Sequence, residues 1–142
     1  AEWEYACRSK TTTPFHFGPT LSAKYSNYRA IEVYGPGKSG EYRRETVAVD
    51  HFKVANDFGL CEMHGNVLEW CQDHWHDNYE DAPTNGSAWL TKEENVTYVT
   101  RGGSWSDLPR YCRSASRIYV TPDVRYFNFG FRVVCRAPRA LQ

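Results

Sequence analysis

The chain has 142 residues, of which 41% are hydrophobic, 15% aromatic and 24% charged, and its formal net charge is zero. This length suits one domain with one core, covering residues 1–142. No long apolar run supports a transmembrane helix. No basic leader followed by an apolar stretch is visible, so a cytoplasmic setting without membrane insertion is expected.

The charge is unevenly placed. Residues 1–100 carry 9 basic and 15 acidic groups, whereas residues 101–142 carry 8 Arg and 2 Asp. Such a tail can form a cationic face for an anionic ligand. It can equally consist of Arg forks that tie irregular loops to carbonyls and to the acidic half, which is the simpler reading. The tail has no Lys and forms no basic stripe, which argues against nucleic acid as a partner. Five cysteines stand at 7, 61, 71, 112 and 135 without zinc spacing, and their odd number forbids complete internal pairing. They read mainly as small buried side chains, and an oxidising compartment would admit one bridge, Cys7 to Cys112.

In chain order, residues 1–9, AEWEYACRS, are helix-prone with Trp3 and Cys7 on one face. This opening has no cap and reads as the middle of a domain, so a preceding segment of the same domain is expected. Residues 11–19 are turn-rich, and the alternating Phe15 and Phe17 suggest a short strand. Residues 23–34 carry Tyr25, Asn27 and Tyr28, and the Gly- and Pro-rich residues 35–40 read as a mobile loop. Residues 46–49 are a short strand candidate and residues 56–60 a turn. In residues 62–70, EMHGNVLEW, Gly65-Asn66 makes a tight turn into a strand. Val67, Glu69 and Cys71 then lie on one side of it, and Leu68 and Trp70 on the other. Residues 72–85 read as a polar loop. Its His74 and His76 have no adjacent third ligand, so a solvated loop is expected there rather than a metal site. Residues 95–100 alternate as a strand. Short strands, few helices and long loops together predict an α+β fold with loop-borne function.

Residues 101–135 stand apart. They contain no Lys, Glu, Gln or Met, although residues 1–100 contain 17 of these, so a window of this length should hold about six. Stereochemically demanding residues (Gly102, Gly103, Trp105, Pro109, Pro122, Gly130) alternate with scattered, unrelated side chains. The scattered positions are Ser106, Asp107, Leu108, Tyr111, Ser116, Ile118, Tyr119, Val120, Val124, Tyr126, Phe127 and Asn128. Between Trp105 and Phe129 no period holds for long, which predicts irregular loop, while residues 131–134 read as a closing strand.

Four motifs, AEWEYACR, GLCEMHGNVLEW, RGGSW and GFRVV, occur in the order and spacing found in the formylglycine-generating-enzyme (sulfatase-modifying-factor) superfamily, which nearly the whole chain resembles. The resemblance implies a C-type-lectin-like fold with a short twisted sheet, few helices and long ordered loops, here without the family's N-terminal part. Family enzymes oxidise a substrate cysteine with copper held by two close cysteines just after RGGS. Here that region reads Trp105 to Tyr111 without a cysteine, and Cys112 falls off the ligand positions. One thiolate cannot form the soft-ligand pair copper(I) needs, so no enzyme activity is expected.

The last segment is also similar to variable proteins of diversity-generating retroelements. In those systems template adenines are randomised, typically in AAC codons. Such codons yield Ser, Asp, Leu, Tyr, Ile, Val, Phe and Asn, but never Lys, Glu, Gln, Met or Trp. The resemblance therefore implies that residues 101–135 are a variable ligand-binding region made of the scattered positions named above, with Trp105 and Arg117 as scaffold beneath it. The implied ligand is a protein or other macromolecule. An oxidase acting on protein cysteine and an accessory or regulatory domain of a larger protein remain the alternatives. No cofactor is required. The family also implies calcium, bound through carbonyls and carboxylates. One set would be Glu62, Gly65, Val67 and Glu69, and the other Asn27, Tyr28 and Glu41.

Overall fold

The computed structural model describes residues 1–135 of the chain. The helix-prone opening forms α1, Glu2–Arg8. Its first turn holds Glu2 and Glu4 and its last holds Arg8, the arrangement the helix dipole favours. Ser9 adopts the left-handed conformation and donates its N–H to the Tyr5 carbonyl at 3.1 Å, which ends the helix. Trp3 and Cys7 share the inward face as expected. Cys7 is buried, and the Trp3 indole N–H donates to Glu69 Oε2 at 2.7 Å.

Four short strands make one mixed sheet: β1 (Leu68–His74), β2 (Tyr98–Arg101), β3 (Ile118–Val120) and β4 (Phe129–Gly130), in the order β3-β2-β1-β4. β2 is antiparallel to both β1 and β3, and β4 runs parallel to β1. The apolar core lies among loops rather than between sheet and helix. Phe15, Leu21, Ala23, Tyr28, Ala30 and Cys112 cluster there, with Phe17 and Tyr34 packed against them. Among the described residues no helix is long and apolar enough to cross a membrane.

The segment His64-Gly65-Asn66 joins these loops. His64 is fully buried, its Nδ1 lies 2.7 Å from the Cys112 carbonyl, and its Nε2 accepts the His16 N–H at 3.0 Å. Its proton therefore sits on Nδ1. Gly65 donates its N–H to the Gly102 carbonyl at 2.8 Å. Its φ of +95°, and a Cβ direction that points straight at the Asn27 carbonyl, leave room for glycine only. Asn66 donates its N–H to the Asn27 carbonyl at 2.7 Å and accepts the Trp105 N–H at 3.0 Å. Its side chain meets both backbone groups of Val47, accepting from the N–H at 2.9 Å and donating to the carbonyl at 3.1 Å.

Several expected elements differ. Residues 46–49 form no strand, because the Asn66 amide already satisfies the Val47 backbone. Phe15 makes one isolated bridge with Gly18 rather than a strand. β1 runs on to His74, past the expected loop start at Gln72, and the His74 ring packs edge-on against Tyr98 at 5.0 Å. Ile118–Val120 is a strand and Pro109–Cys112 a 3-10 turn within the region read as irregular. At the C-terminal side the strand stops at Gly130, and residues 131–134 do not extend it. Residues 35–40, read as mobile, are anchored by the Gly40 N–H to the Ala30 carbonyl at 2.8 Å and by Thr20 Oγ1 to the Tyr34 carbonyl at 2.7 Å. All five cysteines are free thiols, so Cys7 and Cys112 are not bridged.

Burial holds His64 down to about 3 and His16 down to about 4, and both His16 ring nitrogens are buried without a partner. These folded values lie below the unfolded one, so the stability the two neutral rings carry is present above about pH 6.5 and is lost as pH falls. Glu62, pushed up to about 7 by burial, protonates first in the folded chain and offsets one of the two groups in the upper part of that window. Urea midpoints should therefore decline from pH 6.5 to pH 4, by about 1.4 kcal/mol per pH unit for each uncompensated group. His16→Phe should flatten the decline with little cost at pH 7.5, and an unchanged slope would count against this account.

Candidate functional site

The RGGSWSD loop is built from below. Gly102 and Gly103 have φ of +89° and +70°, and side chains there would press on the Trp3 ring and on Cys112. Ser104 is buried and donates both its N–H (2.9 Å) and its hydroxyl (2.7 Å) to Asp107 Oδ2, which closes the loop. Asn128 donates from Nδ2 to the hydroxyls of Ser104 (3.1 Å) and Ser106 (3.2 Å), and its carbonyl accepts the Leu68 N–H at 2.9 Å. The 121–128 loop is thereby tied to the RGGS loop.

Arg101 lies beneath this layer. It donates to the carbonyls of Ser114 (3.0 Å) and Ser116 (2.8 Å) and pairs with Glu4 at 2.7 Å. Burial raises the Glu4 pKa, but Arg101 and Arg8 outweigh it and hold the carboxyl below its ordinary range. Arg132 pairs with Glu69 at 2.8 Å and donates to the Cys61 carbonyl at 3.0 Å. These two arginines tie the tail to the acidic half. Arg110, Arg113, Arg117 and Arg125 make no ion pair among the described residues. The reading of Arg forks that tie the tail to carbonyls and to the acidic half thus holds for Arg101 and Arg132, while Arg110 and Arg125 are exposed.

Above this support the side chains face solvent. Tyr119 and Tyr126 are each 62% exposed and Phe127 is 77% exposed. Phe127 stacks on Trp105 at 5.6 Å, Trp105 lies near Tyr42 at 6.0 Å, and Tyr126 stacks on Phe129 at 5.7 Å. The Arg117 guanidinium is sandwiched between Trp75 (4.5 Å) and Tyr79 (4.4 Å). A groove of about 460 Å³ runs beside β3, floored by Leu68, Ile118, Val120, Val124 and Phe129, with Asp107 and Asn128 also lining it.

The scattered sequence positions do not form one class. Tyr111, Tyr119, Tyr126 and Phe127 are exposed, and Leu108, Ile118, Val120 and Val124 are half-buried. Ser106, Asp107 and Asn128 are half-buried and belong to the hydrogen-bonded ring around Ser104, so their polar groups already have partners. Ser116 is 8% exposed, and its carbonyl holds Arg101, so it belongs to the support and not to the face. Trp105 is half-buried beside Phe127 rather than wholly beneath the loop. Sequence reasoning missed Tyr42, Trp75, Tyr79 and Arg125. They lie outside the alternating pattern or read as part of its frame, and only the fold brings them to this surface.

The calcium candidates differ in fit. Asn27 Oδ1 is buried without a partner, as one oxygen of a cation site would be, while Glu41 reaches outward and pairs with Arg43 at 3.0 Å. The other set does not fit a hard cation. Glu62 Oε2 is buried without a partner, but Glu69 Oε1 and Oε2 accept from Arg132 and Trp3 and the Gly65 carbonyl accepts the Val67 N–H. Glu69 is an arginine partner rather than a free ligand. Among the described residues no group of three or more His, Cys, Asp or Glu is placed to hold a metal. The Cys112 thiol is fully buried, and burial pushes its pKa well above the ordinary thiol range.

Residues 1–137 match the family model of the sulfatase-modifying factor enzyme 1-like domain, and the chain belongs to that family. It is similar to the formylglycine-generating enzyme of Mus musculus, at 34% identity over 93% of this chain and 37% of that protein. It is also similar to the serine/threonine-protein kinase pkn1 of Chlamydia caviae, at 31% identity over 93% of this chain and 19% of that protein. Among solved structures it resembles PvdO from Pseudomonas aeruginosa (TM-score 0.74, 34% identity, 92% of this chain and 48% of that one). It resembles Treponema denticola variable protein 1 as well (TM-score 0.66, 27% identity, 92% and 43%). The chain thus spans less than half the length of each of these relatives. The fold is of the formylglycine-generating-enzyme type, with few helices and a small mixed sheet.

The division between face and support predicts a graded stability series. Tyr119→Ser, Tyr126→Ser and Phe127→Ser should each change stability by within about 0.5 kcal/mol. Asp107→Leu, which leaves the buried Ser104 donors unpaired, should cost about 1–3 kcal/mol. Ser116→Tyr should cost at least as much, through overpacking. Urea unfolding of the five variants measures the series.

Proposed function

We propose that the chain is a non-enzymatic binding module that presents a diversified set of side chains on a rigid C-type-lectin-like scaffold. One observation carries this reading. The positions whose residue types an AAC-randomised codon supplies include every exposed aromatic at 119, 126 and 127 and the apolar floor at 118, 120 and 124. Of the residues that such codons cannot supply or that need special backbone geometry, Gly102 and Gly103 lie in the support and Trp105 is half-buried beside Phe127. The likeness to Treponema denticola variable protein 1 lends support from the fold side. Exposed Tyr and Phe provide large contact area with few torsions to freeze, as in antibody paratopes. A buried, strongly protonated Cys112 speaks for recognition rather than thiolate chemistry. The match to a 19% portion of the Chlamydia kinase favours a compatible second reading, in which the module serves as one domain of a longer chain.

Sequencing the locus tests the reading. The expected result is a neighbouring reverse transcriptase gene and an imperfect repeat of the segment encoding residues 101–135 that differs from it at adenines. Absence of both, or copper-dependent oxidation of a cysteine peptide by the full chain, would reverse it.

Calcium belongs to the same proposal only at Asn27, the Tyr28 carbonyl and Glu41. The orphaned Asn27 oxygen supports it, and the ion would there replace a missing hydrogen bond between loops. Thermal unfolding in excess calcium should then lie several degrees above that in chelator, and Glu41→Gln should remove most of the difference while keeping the chelator value. Equal midpoints for the unsubstituted chain would exclude calcium there.

A further inference from the structure

The Arg117 side chain is fixed at both ends. Its backbone lies between Ser116, whose carbonyl accepts from Arg101 at 2.8 Å, and Ile118, the first residue of β3. Its guanidinium lies 4.5 Å from the centre of the Trp75 ring and 4.4 Å from that of the Tyr79 ring. Both rings belong to the loop that follows β1, and bonds of its own hold that loop. The Trp75 N–H donates to the Thr97 carbonyl at 2.8 Å, and the Trp75 indole N–H donates to Asp77 Oδ1 at 2.9 Å. The Tyr79 carbonyl accepts the Ala82 N–H at 3.2 Å.

A guanidinium offers two flat faces to rings and a planar edge of N–H donors to oxygens. At Arg117 the faces are taken and the edge is not. Its side chain makes no hydrogen bond and no ion pair among the described residues, and its nitrogens are not sealed from solvent. Arg101 and Arg132, by contrast, direct their donors to carbonyls and carboxylates. The acids of the Trp75 loop do not fill the open edge. Asp77 is bonded to Trp75, and Glu80 and Asp81 are exposed and make no ion pair. A fork held in one plane has already lost its torsional freedom, so it is preorganised for two coplanar oxygens such as those of a carboxylate or a phosphate.

The clamp adjoins the variable face. Tyr119, which lines the 460 Å³ groove, packs against Trp75 at 5.2 Å. Trp75 and Tyr79 lie outside residues 101–135, and Arg117 is not one of the scattered positions, so the clamp persists whatever side chains stand there. Resting on the binding-module reading above, we propose that Arg117, clamped between Trp75 and Tyr79, is a constant oxyanion-binding anchor beside the variable positions. It takes a carboxylate or a phosphorylated side chain of the partner protein through two parallel guanidinium hydrogen bonds. The changeable side chains select the partner, and the anchor fixes one charged point of it.

NMR of the isotope-labelled full chain tests this by following the arginine Nε–H signals. Arg117→Lys assigns the Arg117 signal by its loss. The chain is titrated with sodium acetate and with inorganic phosphate, each at constant ionic strength against chloride. The Arg117 signal should move and saturate at anion concentrations at least about tenfold lower than the signal of exposed Arg125, because only Arg117 is preorganised. Tyr79→Leu, at an exposed position, should weaken the response about fivefold by releasing one face of the guanidinium, and Tyr79→Phe should preserve it. Tighter acetate binding assigns the anchor to carboxylates, tighter phosphate binding assigns it to phosphorylated side chains, and saturation by either supports it. An Arg117 signal that only tracks Arg125, a chloride response equal to both anions, or undiminished affinity in Tyr79→Leu overturns the anchor and leaves the clamp as a structural tie between loop and strand. The binding-module reading survives those outcomes, since the adenine-substituted repeat in the DNA decides it separately.

Discussion

Everything the face rests on passes through the left-handed turn at Gly65-Asn66. With φ of +95° and +68°, the two residues reverse the chain inside the protein, where their polar groups must be satisfied without water. Three loops meet that demand: residues 26–28 through the Asn27 carbonyl, residues 45–47 through Val47, and the RGGS loop through the Gly102 and Trp105 backbone. A side chain at Gly65 would displace the Asn27 carbonyl, and an apolar residue at Asn66 would orphan several buried groups at once. The neighbouring His64 extends the same logic by joining Cys112 to His16 through a single imidazole. Loops that would otherwise drift are held by obligations of hydrogen bonding rather than by a large apolar core.

Charge performs the same task on the opposite side of the sheet. Arg101 and Arg132 each give one guanidinium to a carboxylate and to backbone carbonyls, and so hold helix, sheet and tail together. Planar forks suit this because they satisfy several acceptors in fixed geometry. Breaking either pair strands a buried or half-buried charge, which costs more than the pair's net contribution to stability. These two arginines thus belong to the architecture, whereas Arg110 and Arg125 on the same segment are exposed.

The sequence made the helix, the Gly65-Asn66 turn and the strand before Arg101 legible because each has a local cause: periodicity, positive φ, alternation. It hid what depends on distant partners. Residues 46–49 looked like a strand because a short apolar run cannot reveal that a side-chain amide 19 residues away takes its backbone bonds. Gln72 looked like the start of a loop because its polarity was read without the cross-strand aromatics that carry β1 to His74. At the site, the alternating pattern found the exposed aromatics but wrongly included Ser116, whose role is carried by its backbone carbonyl. Trp75 and Tyr79 come from another part of the chain, and no local signal joins them to Arg117.

A face whose side chains are to be interchangeable needs a support that does not use them. The observed bonding approaches that condition, since most contacts beneath the surface are backbone to backbone or start from residues such as Gly65, Asn66, Arg101 and Ser104. Asp107 and Asn128 are the exceptions, because their side chains close the ring around Ser104. Replacing Asp107 orphans the buried Ser104 donors, and replacing Asn128 removes the amide that ties its loop to Ser104 and Ser106, so the freedom of the segment is greatest along β3 and from Val124 to Phe127 and smallest at these two positions. The same gradient explains why the apolar grooves lie in the middle of the segment. There the floor is supplied by Leu68 and Phe129 of the sheet, and on the proposed reading substitution above it would alter what is recognised without removing what holds the surface in place.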